Sequence, residues 1–390
     1  SFPIIFAFLS LIIGIASGST IVIAQYFGAK DIEKVKKTIN TLFIFLIFAS
    51  ITASIIAIYF SEDIFRLLKL PEEIIPQAKL YFNILMGGAI VSFGFNGTSA
   101  ILRGLGDSKT PLYFLIISTI FNIAFDLLFV MVFKWGIMGV AVATVISQAG
   151  AFITAVIYLN KTHKVIRFSF ADLKFDREIF NKSIRIGLPT GIQQTFVAAG
   201  MMALISIVNR FGTDVIAAYS VATRIDSLAS MPAMNFAAAL ATFVGQNLGA
   251  KKINRVRTGF VATLKMTSIL AVVVSASILL WGSHMVSLFT NDPEVIRIGT
   301  EYLVIVGAFY IVFTSMFTIS GVLRGAGDTL IPMFISLAAL WVIRIPGAWF
   351  LSQRIGEKGI WWAIPIGWCV GLILSYLYYL TGNWKKKVVV

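Results

Sequence analysis

The sequence predicts an all-α integral membrane protein built from two pseudo-symmetric six-helix bundles. Three observations predict it. Of 390 residues, 58% are hydrophobic and only 13% charged, with a mean hydropathy of +0.89, whereas a soluble chain carries about a quarter charged residues. Apolar runs long enough for a hydrocarbon core of about 30 Å, roughly 20 residues per helix, recur along the whole chain. The chain also matches itself at an offset of 221 residues.

Taken in order, eleven apolar runs are bounded by charge, Pro or Gly, at about 1–26, 38–60, 78–102, 111–133, 137–159, 183–209, 215–247, 258–283, 295–322, 330–352 and 360–381. Lys30, Lys34, Lys36 and Lys37 separate the first two runs, and Arg66 and Lys69 the next. Arg103 and Lys109 precede Pro111, which opens the fourth run, and Lys134 closes it. A charged connector from Asn160 to Lys182 divides the halves, with Phe168, Phe170, Phe175 and Phe180 interspersed; it is expected to lie along the cytoplasmic surface. Arg210, then Lys251, Lys252, Arg255 and Arg257, then Arg324, then Arg354 and Lys358 punctuate the second half, which ends on Lys385, Lys386 and Lys387. Segments such as Thr41 to Ile58 are apolar on all sides, unlike transmembrane strands, which alternate in polarity over about ten residues.

The formal net charge of +14 falls mostly in alternate loops, which makes that side cytoplasmic. Localisation is therefore expected in the cell's inner (cytoplasmic) membrane, multi-pass, with the basic loops and the C-terminus inside. Charge so distributed is a topogenic signal, and nucleic acid is excluded as a partner. Cys369 is the single cysteine, so an intramolecular disulfide and a Cys-based metal cluster are excluded. An integral membrane enzyme would need a nucleophile and base or a metal cluster within the spans. His163 and His284, at span ends, do not supply one.

The repeat aligns Gln25, Gly28, Ala29 and Lys30 with Gln246, Gly249, Ala250 and Lys251. It also aligns Leu102–Asp107 (Leu-Arg-Gly-x-Gly-Asp) with Leu323–Asp328, Pro111 with Pro332, Tyr81 with Tyr302 and Glu73 with Glu294. Both Arg-Gly-x-Gly-Asp blocks are read as structural turns, where Gly permits the tight bend and Pro opens the next helix. The span 183–209 has no partner in the first half, so its counterpart is expected upstream of Ser1. The organisation read is a first lobe at 1–159 with five helices, a linker at 160–182 and a second lobe at 183–390 with six. An even number of helices per repeat makes the lobes parallel.

The paired Gln-x-x-Gly-Ala-Lys loops, the two Leu-Arg-Gly-x-Gly-Asp turns, and Ile186-Gly187-Leu188-Pro189 followed by Gln193 and Gln194 together resemble the multidrug and toxic compound extrusion (MATE) family. Val342-Ile343-Arg344-Ile345-Pro346 looks like that family's eleventh helix. The resemblance covers essentially the whole chain, with the family's first helix absent. It implies a twelve-helix secondary transporter that exports organic cations and amphipathic drugs in antiport with Na⁺ or H⁺ by alternating access. No cofactor beyond the coupling ion is implied, and because repeats of six helices make a complete path within one chain, a monomer embedded in lipid is expected.

Ionisable groups deep in a span cost several kcal/mol and mark function by default. Asp126 lies in the span 111–133, one turn after Asn122, so the two share a helix face. Thr144 lies at matching depth in the next span, at 1.5 Å rise per residue. A carboxylate, an amide carbonyl and a hydroxyl are hard oxygen ligands suited to Na⁺, and a carboxylate in a partly dry pocket can instead take a proton. In DinF-like MATE proteins an Asn and an Asp one turn apart and a Thr on the next helix belong to the cation site; Asn122, Asp126 and Thr144 match them. The second half is read as offering no acidic residue well inside a span, which argues for a cation site in the first. Gln193, Gln194 and Arg344 are candidates for the substrate cleft. Pro232 is expected to bend its helix, and Trp361, Trp362 and Trp384 are read as interfacial anchors. Two rivals stand beside the antiporter: a flippase for a lipid-linked saccharide or cell-wall precursor, which would want a basic cleft, and a sensor without transport.

Overall fold

The computed structural model describes residues 2–67, 70–162 and 173–389, the side chains of 2–9 and 67 excepted. His163, Phe168 and Phe170 lie outside the described residues, as does most of the connector. Every regular element among the described residues is helical. Among the described residues nine helices are long and apolar enough to cross a membrane, and two bent pairs bring the number to eleven if each pair is one span. The all-helical membrane architecture read from the apolar runs is thus the architecture observed.

Two compact units divide the chain, Ser1–Gly191 with Val389–Val390, and Ile192–Val388. The first holds α1 (Phe2–Gly28), α2 (Ile32–Tyr59), α3 (Ser61–Leu67), α4 (Ile75–Gly87), α5 (Ala89–Gly104), α6 (Lys109–Leu127), α7 (Gly136–Thr162) and the opening turns of α8 (Arg177–Val208). Ile23, Tyr26, Leu42, Phe43, Ile101, Leu102 and Leu159 are fully buried at its centre. The second holds the rest of α8, α9 (Thr213–Gly249), α10 (Ile253–Ser287), α11 (Pro293–Gly307), α12 (Tyr310–Gly325), α13 (Leu330–Leu337), α14 (Ile345–Ile355) and α15 (Glu357–Thr381). The units divide inside α8 because its start packs on α1 through glycine. A Cβ on Gly18 would sit 2.4 Å from the Ser183 carbonyl oxygen, and one on Gly187 would sit 2.4 Å from that of Gly14. Small residues allow such backbone approach in membrane helices.

The 221-residue repeat recurs in local geometry. Lys30 and Lys251, at the turns leaving α1 and α9, have φ of 63° and 58°, and their amides donate to Phe27 and Leu248 carbonyls at 3.0 and 2.9 Å. Gly106 and Gly327 have φ of 96° and 90°, and their amides reach the Arg103 and Arg324 carbonyls, both at 2.9 Å. These are helix C-caps in which a left-handed residue returns its N–H to the last turn. Two spans are broken, α4–α5 by 47° and α11–α12 by 50°. In each, a serine one repeat apart donates to a carbonyl just before the break, Ser54 to Met86 at 2.5 Å and Ser275 to Gly307 at 2.6 Å.

One expectation is corrected, that for Trp361 and Trp384. Trp361 and Trp384 are not interfacial anchors, being 0% and 1% exposed. Trp361 stacks on Tyr219 at 5.6 Å and meets Tyr302 edge-on at 5.0 Å, and the Trp384 indole N–H donates to the Tyr379 carbonyl at 3.0 Å. Nearness to a span end placed them at the interface, but burial of a large ring within the bundle outweighs that position. Only Trp362, 40% exposed, keeps an outward face. Pro232 lies inside α9, which continues uninterrupted from Thr213 to Gly249, while both breaks occur at proline-free positions.

Candidate functional site

In the first unit, α6 carries Asn122 and Asp126 one turn apart, and α7 carries Thr144 beside Asn122. The Asn122 Nδ2 donates to Thr144 Oγ1 at 3.5 Å. The Thr144 hydroxyl proton is engaged by the Val140 carbonyl at 2.9 Å, so its oxygen faces Asn122 as an acceptor. That geometry leaves the Asn122 carbonyl oxygen and a Thr144 lone pair for a ligand. Asp126 Oδ1 is buried and has no hydrogen-bond partner among the described residues. An unmet carboxylate oxygen in an apolar span is costly, and a bound cation or proton would remove that cost. Immediately after Asp126 the helix widens into a π turn over Leu128–Val132, where Phe133 N–H reaches back to the Leu128 carbonyl at 3.1 Å. Such turns recur at functional sites.

In the second unit a cavity of about 190 Å³ is lined by Gln193, Gln194, Arg324, Arg344, Ser320 and Ser336 among apolar side chains. All three candidate cleft residues therefore meet in one place. The cause is local. Pro346 lacks the N–H that would bond to the Val342 carbonyl and its ring crowds that oxygen, and the chain takes a π turn over Ala338–Arg344. Gly367 of α15 lies against that turn, where a Cβ would sit 3.2 Å from Arg344 Cβ. Arg344 is 9% exposed, and its Nε has no partner among the described residues. Arg324 Nη2 donates to Gln193 Oε1 at 3.1 Å, and Gln193 Nε2 donates to Ser336 Oγ at 2.7 Å. The Arg-Gly-x-Gly-Asp block read as a turn thus also supplies a guanidinium to the cavity.

A further group was missed. Asp226 lies inside α9, so the second half does hold an acidic residue within a span, contrary to expectation. The Tyr310 hydroxyl donates to Asp226 Oδ1 at 2.5 Å and the Tyr302 hydroxyl to Oδ2 at 3.5 Å. The charge of Arg344 also acts on it. Its place within the run 215–247 is plain in the sequence. The tyrosines come from α11 and α12, so only packing joins them to Asp226. No three His, Cys, Asp or Glu among the described residues come together to hold a metal.

The MatE family model matches residues 1–128 and 189–350. The probable multidrug resistance protein YpnP of Bacillus subtilis is 33% identical over 99% of this chain and 86% of its own length. The probable multidrug resistance protein YoeA of the same organism is 34% identical over 99% of this chain and 85% of its own. Among solved structures, MATE in the bent conformation superposes with a TM-score of 0.91 at 23% identity, over 99% of this chain and 87% of that one.

Proposed function

The chain belongs to the MatE family, and from that premise we propose that it is a secondary active exporter of small amphipathic organic molecules, organic cations among them, in antiport with Na⁺ or H⁺. Family members of this kind are transporters rather than enzymes. The observation that carries the reading is the α6–α7 constellation: Asn122 on Thr144, with the unpartnered Asp126 oxygen one turn away. The coupling ion binds there, through the Asp126 carboxylate, the Asn122 carbonyl and the Thr144 hydroxyl. Coupling requires that the ion bind two conformations unequally. The names of the Bacillus subtilis relatives support drug efflux as the outcome. The protein sits as a monomer in the cell's inner membrane with its basic loops cytoplasmic.

Ethidium flux in proteoliposomes under an imposed Na⁺ or pH gradient tests this. Gradient-driven flux is expected in the wild type and lost in Asp126→Asn; undiminished flux in the variant removes Asp126 from coupling. The flippase for a lipid-linked saccharide gains support from one observation, the two arginines that line the second unit's cavity.

A further inference from the structure

The cavity of the second unit carries two guanidiniums and no carboxylate among its lining residues. A site for organic cations would present acidic or π-rich polar groups without competing positive charge. Arg324 has found a neutral partner in Gln193. Arg344 has not: nine-tenths buried, it leaves Nε unbonded, and a buried donor without a partner calls for an explanation. Asp226 lies within reach of that charge but leaves Nε unbonded, because its carboxylate accepts from Tyr310 and Tyr302 and does not line the cavity. The rest of the wall is Met201, Met234, Phe313, Met316, Phe317 and Trp368, a polarisable apolar surface suited to an aromatic or branched body.

We propose that this cavity binds an organic anion, with a carboxylate, sulfonate or phosphate on the Arg344 guanidinium and an apolar body against Met201, Phe313 and Trp368. Arg344 lines the cavity, and the terminal nitrogens of a guanidinium hold an oxyanion by charge-assisted hydrogen bonds. Gln193 is oriented by Arg324 and Ser336, and Gln194 adds amide donors at the same wall. This deepens the transporter reading by assigning a substrate class to one cavity, and it rests on that reading for its biological meaning.

The test uses two probes with one apolar body and opposite charge, naphthoate and naphthylmethylammonium, titrated calorimetrically into the protein in zwitterionic lipid nanodiscs. Naphthoate is expected to bind more tightly by about ten-fold or more, the worth of a charge-assisted hydrogen bond. Arg344→Gln should weaken naphthoate by a similar factor and leave the ammonium probe unchanged, while Arg344→Lys should keep part of the preference. Equal or tighter binding of the ammonium probe by the wild type overturns the proposal without recourse to any variant, so a variant that fails to fold does not shield it. Naphthoate affinity unchanged in a folded Arg344→Gln overturns it as well. Competition by farnesyl phosphate assigns the anion to a lipid-linked source, and its absence to a soluble acid; either result keeps the anion site. No gradient is applied, so failure of the Asp126 flux experiment leaves this result standing, and the reverse also holds.

Discussion

At the scale of single residues, two carboxyl groups inside spans meet opposite circumstances. Asp126 has an oxygen with nothing to bond, the condition of a group awaiting a ligand, whereas Asp226 is held by two tyrosines. Removing the shorter of those bonds, in Tyr310→Phe, should lower the thermal unfolding midpoint in detergent by an amount equivalent to about 1–2 kcal/mol. Tyr302→Phe, which loses only a 3.5 Å contact, should cost less. Asp107 lies outside the spans, in the turn before α6. Burial pushes its carboxyl up, but hydrogen bonds from Thr110 and from the Tyr158 hydroxyl outweigh burial and hold it below the usual carboxylate value. A carboxyl with a lowered folded value stabilises the fold above its unfolded value of about 3.9, and that contribution is lost as pH falls through the folded value. The stability gap between wild type and Asp107→Asn should therefore be present at neutral pH and close in strong acid, as read by thermal midpoints across pH.

At the scale of elements, packing in each unit depends on where side chains are absent. A Cβ on Gly325 would sit 2.4 Å from the Ala241 carbonyl oxygen, where α12 crosses α9. Gly325→Ala should cost about 1–3 kcal/mol through overpacking, visible as a lowered midpoint or loss of monodispersity. Gly150 on α7 has open space around its missing Cβ, so Gly150→Ala should be neutral or stabilise by about 0.5–1 kcal/mol, since Ala is the better helix former. The two broken spans depend on Ser54 and Ser275. Replacing either by Ala removes one interhelical bond, a loss of roughly 0.6–1.7 kcal/mol in a membrane, and Ser54→Ala and Ser275→Ala should shift the midpoint by similar amounts because the two bonds are one repeat apart.

At the scale of the whole molecule, the repeat has been used for unlike purposes. At the 221-residue offset, Arg344 falls beside Asn122, on the matching helix of the other half. One copy of that helix presents an amide and a carboxylate, the other a guanidinium next to a π turn. Duplication thus supplied the frame, and substitution at equivalent depth supplied opposite charge. The orientation inferred from the basic loops makes a further prediction. In a Cys369→Ser background, Asn291→Cys should react with an impermeant thiol reagent on intact cells, and Asn254→Cys only after permeabilisation. The reverse labelling pattern would invert the topology.

Much of this was legible without coordinates. Eleven apolar runs set the helical class because backbone polar groups in lipid must be satisfied within each segment, and the repeat was visible because paired turns need the same special residues. Asn122 and Asp126 could be placed on one face by helical spacing alone, and Thr144 beside them by counting rise. Spacing fails where partners come from distant helices. That Arg324, read as part of a turn, lines a cavity with Arg344, that Tyr302 and Tyr310 meet Asp226, and that Trp361 is enclosed rather than interfacial were all decided by packing. A period of 3.6 residues reports which side chains share a face, and only tertiary structure determines what that face meets.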